Sequence, residues 1–407
     1  MRHLTLPIVL LCIGFLAGCM EQQKKMGKNT FGDDLKFLKK HTDVVVLSDE
    51  TGDGRVTVVP QMQGRVMTST AGGLDGFSFG WINRELVASG EFVEHMNVFG
   101  GEDRFWLGPE GGQFSIFFEN GVPFDLEHWF TPAPIDTEPF ELVYKSKDRA
   151  IFKKNMQLVN YSGTVFDLRA DREVRVLEED QAVEQLGVKP ASKVKMVSFE
   201  SVNKVTNTGE KAWEKDTGLL SIWILGMFNP SPATTVVIPF KTGPVAKLGP
   251  IVNDAYFGKV PPDRLIVKDG VIFFKGDGQY RGKIGFSPLR AESVLGSYDA
   301  VNKVLTIVQY NKPRGARDYV NSMWELQDQP YKGDVVNSYN DGPPEPGAEP
   351  LGPFYELETS SPAADLQPGE TITHIHRTFH LQGPEAKLDP IAQATLGVTI
   401  DQIKSAF

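Results

Sequence analysis

The sequence predicts an all-β chain of antiparallel strands, with a few short helices near its ends. Three observations predict it. Glycine contributes 40 residues, proline 27 and phenylalanine 26 to a chain of 407, a composition rich in turns and strand formers. Short runs of Val, Ile, Phe and Thr broken by turn residues recur along the whole length, with no repeat of fixed period. Arg264-Leu-Ile-Val-Lys268 and Val271-Ile-Phe-Phe274 flank Asp269-Gly270, the sharpest local hairpin signal in the chain.

The chain opens with Arg2 and His3, an apolar stretch from Leu4 to Phe15, and Leu16-Ala17-Gly18-Cys19. That order reads as a secretory signal over 1–18, with a lipoprotein-type cleavage box before Cys19. The apolar stretch is short for a bilayer span. Cleavage would free Cys19 for acylation, and two or more chains anchor a protein far more firmly than one. The expected home is the cell envelope. Met20 stands where an aspartate would direct inner-membrane retention, so an outer-membrane anchor facing the periplasm or the surface is expected. Residues 19–29 carry Lys24, Lys25 and Lys28, which suits a tether beside anionic headgroups or a plain solvated linker. Cys12 and Cys19 are the two cysteines, so a mature chain has no disulfide to form and needs a large core.

Residues 30–407 read as one β domain. A cap at Asn29 or Thr30 starts a short helix with Phe31, Leu35 and Leu38 on one face. Strands are predicted over Val44 to Leu47, Arg55 to Pro60, Gln113 to Glu119, Ala150 to Asn160, Gly163 to Leu177, Val194 to Thr206, Leu219 to Met227, Thr234 to Phe240, Asp263 to Lys268, Val271 to Lys275, Lys303 to Tyr310, Phe354 to Thr359 and Thr371 to Leu381. Asp389-Pro390 is expected to start a helix, and Thr399 with Gln402 forms the capping box of another. The segment 341–353, dense in proline, excludes a central strand. It is either the rim of a site or a plain connection.

A formal net charge of −10 with no basic block after the tether excludes a nucleic-acid partner. The chain lacks a Gly-x-Ser-x-Gly elbow, a phosphate loop, a dinucleotide fingerprint and a Cys-x-x-Cys pair, so the corresponding hydrolase, nucleotide and zinc chemistries lose their support. No cofactor is expected. Three segments carry candidate chemistry. In Asn97 to Gly112, Asp103, Arg104 and Glu110 offer directional hydrogen bonds and Trp106 a flat apolar face, the combination a sugar requires. In Phe354 to Glu370, Glu356 and Glu358 share one strand face, which is a site or is wet. In Thr371 to His380, His374, His376 and His380 share a face. His374 and His376 could hold a divalent metal given a further ligand, or could sit on a hydrogen-bonded sheet face.

Leu357-Glu358-Thr359, Pro362, Asp365 and Leu366-Gln-Pro-Gly-Glu370, followed by a last strand, resemble the C-terminal run of the galactose mutarotase, or aldose epimerase, superfamily. Ile82-Asn83-Arg84 looks like its Asn-Arg element, and Asn97-Val-Phe-Gly-Gly101 like its Asn-x-Leu-His-Gly-Gly. The chain is also similar to a lipoprotein branch sharing that fold. The resemblance implies a galactose mutarotase-like β-supersandwich, a carbohydrate partner, Glu358 as general base, and Asn83 and Arg84 as sugar contacts. Two departures stand out: Phe99 occupies the place of the family's first active-site histidine, and Ser221 to Asn229 lacks the second. His95, His128 or His374 could supply the missing acid. Three functions therefore compete: an epimerase-like enzyme, a carbohydrate-binding or scaffolding lipoprotein without catalysis, and a metal-dependent enzyme built on His374 and His376.

Overall fold

Thr30 accepts a hydrogen bond from the Asp33 amide while the Asp33 carboxylate accepts from the Thr30 amide, and this capping box starts the helix Phe31–His41. Phe31, Leu35 and Leu38 are buried along it, as their spacing predicts. The computed structural model describes residues 30–407; the signal segment 1–18, Cys19 and the tether 19–29 lie outside the described residues. Among the described residues no helix is long and apolar enough to cross a membrane.

The strands are β1 Val45–Ser48, β2 Arg55–Val59, β3 Arg65–Thr70, β4 Arg104–Gly108, β5 Glu141–Lys145, β6 Arg149–Val159, β7 Val165–Val176, β8 Lys195–Asn207, β9 Ser221–Phe228, β10 Thr234–Pro239, β11 Leu265–Lys268, β12 Val271–Lys275, β13 Gly282–Phe286, β14 Val294–Asp299, β15 Val304–Tyr310, β16 Val336–Asn340, β17 Tyr355–Ser360 and β18 Thr371–Gln382. They form a three-stranded sheet β1-β2-β3, a ten-stranded sheet β11-β12-β10-β14-β15-β18-β8-β7-β6-β5 and a five-stranded sheet β13-β16-β17-β9-β4. Paired strands run antiparallel throughout. Asp269, at φ 51°, and Gly270, at φ 81°, make the hairpin between β11 and β12, which is the left-handed pair that a two-residue turn demands.

The five-stranded sheet stacks on the ten-stranded one. Phe105, Leu107, Ile222 and Ile224 meet Phe152, Phe166 and Phe199 in one cluster, and Ile284, Val336 and Leu357 meet Val236, Phe274 and Leu295 in another. Each such side chain contributes about 1.5–3 kcal/mol on leaving water, so this layer fixes which face of β4, β9, β13, β16 and β17 points outward. Behind the large sheet, Leu388, Ile391, Leu396, Ile400 and Ile403 of helices Glu385–Leu396 and Ile400–Lys404 cover Val237, Phe273, Leu305 and Phe379.

Two expectations are corrected. Gln113 to Glu119 is a chain of turns and bends rather than a strand; Gly112 takes φ 81° and its carbonyl accepts from the Ser115 amide, which bends the backbone out of any ladder. The penultimate helix starts at Glu385 behind Pro384, not at Asp389, and carries Pro390 inside it. Pro384 fixes an extended φ of −60° and closes the first turn through its carbonyl. The Thr399–Gln402 capping box forms as expected.

Candidate functional site

With Phe105, Leu107, Ile222, Ile224, Tyr355 and Leu357 directed at the large sheet, alternation sends Arg104, Trp106, Trp223, Leu225, Met227, Glu356 and Glu358 to the opposite face. There all but Glu358, which lies buried just beneath, form the floor of a cleft of about 490 Å3. Leu225 lies in register between Arg104 and Glu358, and Tyr339 between Lys283 and Glu356. Long side chains cross these rows diagonally. Arg104 Nη2 donates to Glu356 Oε1 at 3.3 Å, and Lys283 Nζ lies 3.2 Å from Glu358 Oε2. The Trp223 indole N–H also donates to Glu358 Oε2, at 2.9 Å.

Four of the six tryptophans, Trp106, Trp129, Trp223 and Trp324, line this cleft. Trp106 meets Trp223 edge-on at 5.5 Å, Trp129 stacks on Trp324 at 5.8 Å, and the Arg104 guanidinium covers the Trp106 ring at 4.0 Å. The indole nitrogens of Trp106 and Trp129 have no hydrogen-bond partner among the described residues. A buried donor without a partner is costly, and here two such donors belong to the wall of one cavity. The proline-rich segment forms the rim through Asp341, Gly342, Pro344, Glu349 and Leu351. It is tied down where Tyr339 donates to Asp341 Oδ1 at 2.7 Å and the Gly352 amide to Asp341 Oδ2 at 2.8 Å.

The floor concentrates charge in a dry place. Burial and then the neighbouring Glu358 push the Glu356 carboxyl up to about 8, against Arg104 and Lys283. Burial raises Glu110 as well. Burial opposes the Lys283 ammonium, but Glu358, Glu110 and Glu356 together raise it above its ordinary value. Burial lowers the Arg104 guanidinium despite Glu356. Glu358 itself is fully buried beneath Trp223 and Lys283, whereas Glu356 lines the cleft.

Arg104, Trp106, Glu110 and Glu356 come together in this cleft, with Glu358 directly under its floor. Other expected site residues fall elsewhere. Asn83 caps the helix Arg84–Ser89 by accepting from the Leu86 amide, and Arg84 pairs with Asp34 and covers the Phe37 ring. Neither lines the cleft. Asp103 points between the sheets, where Arg172 Nη2 holds it at 2.7 Å, because adjacent residues of a strand face opposite ways. Gly100 and Gly101 take φ 93° and 107° against the Trp81 and Val66 carbonyls, so these glycines serve chain packing and not the approach of a ligand. Phe99 fills a small core with Met67 and Val87.

His374 and His376 do share a face, and it too is interior. Thr359 Oγ1 lies 2.8 Å from His374 Nε2 and 2.9 Å from His376 Nδ1, and burial pushes the rings down to about 3 and about 4. Among the described residues no three His, Cys, Asp or Glu side chains gather as metal ligands, so the metal-enzyme reading lacks its further ligand. His380 joins Glu102 and Thr306 in the same layer. Of the histidines proposed as acids, His95 lines the cleft, its Nδ1 2.8 Å from the Trp129 carbonyl, and His128 pairs outside it with Asp125. Lys283, Trp223 and Tyr339 escaped the sequence reading. A lone lysine among the small and apolar residues of 282–286 is a signal that could have found Lys283.

The model of the Family of unknown function (DUF6786) matches residues 29–407. No curated protein matches the chain. Among solved structures, the Slr1438 protein from Synechocystis sp. PCC 6803 is similar at 12% identity and a TM-score of 0.50, over 84% of this chain and 96% of that one. A galactose mutarotase-like protein from Lactobacillus casei ATCC 334 aligns at 10% identity and a TM-score of 0.46, over 83% of this chain and 100% of that one. A galactose mutarotase related enzyme from Lactobacillus acidophilus aligns at 10% identity and a TM-score of 0.45, over 83% and 97%. The likeness is one of fold.

Proposed function

The chain belongs to the DUF6786 family, and we propose that its cleft binds a carbohydrate and acts on it as an aldose-epimerase-like enzyme, with Glu358 as general base. One observation carries the reading: Glu356 and Glu358 project from one strand face under a cleft walled by four indoles, each within reach of a cation. Indole faces suit the apolar C–H face of a pyranose, and paired acids and bases suit its hydroxyls. Arg104, Glu110 and Glu356 would orient hydroxyls, and the indoles lining the cleft, Trp106 among them, would take the ring. Titration with galactose and glucose, followed by tryptophan fluorescence and by NMR exchange between anomers, tests this. If Glu358→Gln alters neither binding nor exchange, the site assignment is wrong.

A second reading, binding without turnover, is favoured by the full burial of Glu358 and by Phe99 in the place of a histidine. Sugar-dependent fluorescence with no anomeric exchange would select it. We infer as well that the chain is exported and held by acyl chains on Cys19, with the domain facing the periplasm or the surface. A Cys19→Ser variant should then lose both incorporated fatty acid and sedimentation with membranes. Retention of either refutes the anchor.

A further inference from the structure

The buried floor does not balance its charges. Glu110, Glu356, Glu358 and Asp341 face Arg104, Lys283 and Arg281, four acids against three bases, in a cleft closed below by the sheet. One proton held within the cluster removes the excess, since an uncompensated buried charge is expensive. The geometry says where it sits. Glu358 Oε2 is occupied by the Lys283 ammonium and the Trp223 N–H, so the compensated carboxylate is Glu358. Glu356 has the longer Arg104 contact at 3.3 Å and a hydrogen bond with Glu358, and it alone of the two lines the cleft. The groups facing it are Arg104 on β4, Lys283 on β13, Tyr339 and Asp341 at the end of β16, and Glu358 two residues along β17. The histidine of the cleft lining, His95, has its Nδ1 2.8 Å from the Trp129 carbonyl.

We propose that Glu356 is the acid of this site: it carries a proton in the resting protein and delivers it to the ring oxygen of the bound sugar. The proposal rests on the epimerase reading given above. Glu358 takes the proton of the anomeric hydroxyl, the electron pair left on O1 forms the C1 carbonyl, the C1–O5 bond breaks, and O5 takes the proton from Glu356. After rotation about C1–C2, reclosure reverses both transfers, so protons and electrons balance. Two buried carboxyls with one proton between them, sorted by a single lysine, divide into acid and base by environment alone. The push of Glu356 up to about 8 agrees with this division.

The test uses the mature protein and its Glu356→Gln, Glu356→Asp and Glu358→Gln variants, with galactose and glucose as probes. Anomeric exchange in Glu356→Gln should fall by about 100-fold or more, with sugar-induced fluorescence retained and a partial rate restored by Glu356→Asp. The wild-type rate should decline above pH 8, where Glu356 loses its proton. Exchange in Glu356→Gln equal to wild type, with Glu358→Gln inactive, overturns the acid and leaves the epimerase reading standing. No wild-type exchange with either sugar overturns both. Independently of activity, infrared spectra at pH 7 should show a protonated-carboxyl band that Glu356→Gln removes; its absence from wild type overturns the proposal.

Discussion

Lys283→Met removes one side of the buried pair and leaves most of the volume in place. The Lys283 and Glu358 side chains are 9% and 0% exposed, so the orphaned carboxylate has no water to turn to. Removing one partner of such a pair costs about 3–5 kcal/mol. The lysine also sits 4.7 Å over the Trp223 ring, a cation–π contact worth about 0.5–2 kcal/mol. A second variant separates the two effects. Lys283→Met with Glu358→Gln lacks the cation–π contact but buries no unpaired charge, so it should recover all but about 2 kcal/mol of the loss. Urea unfolding followed by circular dichroism and tryptophan fluorescence measures both. A single-variant cost below about 1 kcal/mol, typical of a solvated surface pair, would refute the dry floor. So would a double variant no more stable than the single one.

Further outcomes follow from the interior layer and the wall. Thr359→Val keeps the shape but takes the shared hydroxyl from His374 and His376; it should cost about 1–3 kcal/mol, and a neutral result would mean the bridge does not matter. Burial lowers both rings, so the folded state binds fewer protons than the unfolded one as pH falls from 6.5 toward 4. Stability is therefore complete above 6.5 and declines below it, by up to about 2.7 kcal/mol per pH unit for two groups. Replacing both by Gln should flatten that slope relative to wild type; an identical slope in acid-dependent urea midpoints would contradict it. Trp106→Phe should reduce sugar-dependent quenching by removing an indole N–H from the cleft wall, and unchanged affinity would take Trp106 out of the binding surface.

The strand-rich fold class, the β11–β12 hairpin and the long strands β6, β7, β8 and β18 were legible because their residues alternate or carry turn signals at defined spacing. β13 and β16 were not. Gly-Lys-Ile-Gly-Phe and Val-Asn-Ser-Tyr-Asn are buried along their whole length, so neither shows the in-and-out period that marks a half-exposed strand. Lys283 went unseen with β13, and with it the partner of Glu358. Strand parity placed Glu356 with Glu358 and grouped the three histidines correctly. Parity cannot tell which face is interior, and that choice sent the histidines between the sheets and Glu356 to the cleft, with Glu358 beneath its floor. Asp103 and Arg104 show the same limit: one reads as well as the other in sequence, and only one faces the site. Arg84 was chosen by motif, and its ion pair with Asp34 on the first helix depends on a chain crossing that no local pattern encodes.

A structure of residues 30–407 soaked with galactose tests the central claim most directly. Density for a pyranose ring in the cleft, against the indoles of Trp106, Trp129 or Trp324 and with a hydroxyl within hydrogen-bond distance of Glu356, is the predicted result. An empty cleft at saturating sugar, or sugar bound only elsewhere on the surface, would contradict it.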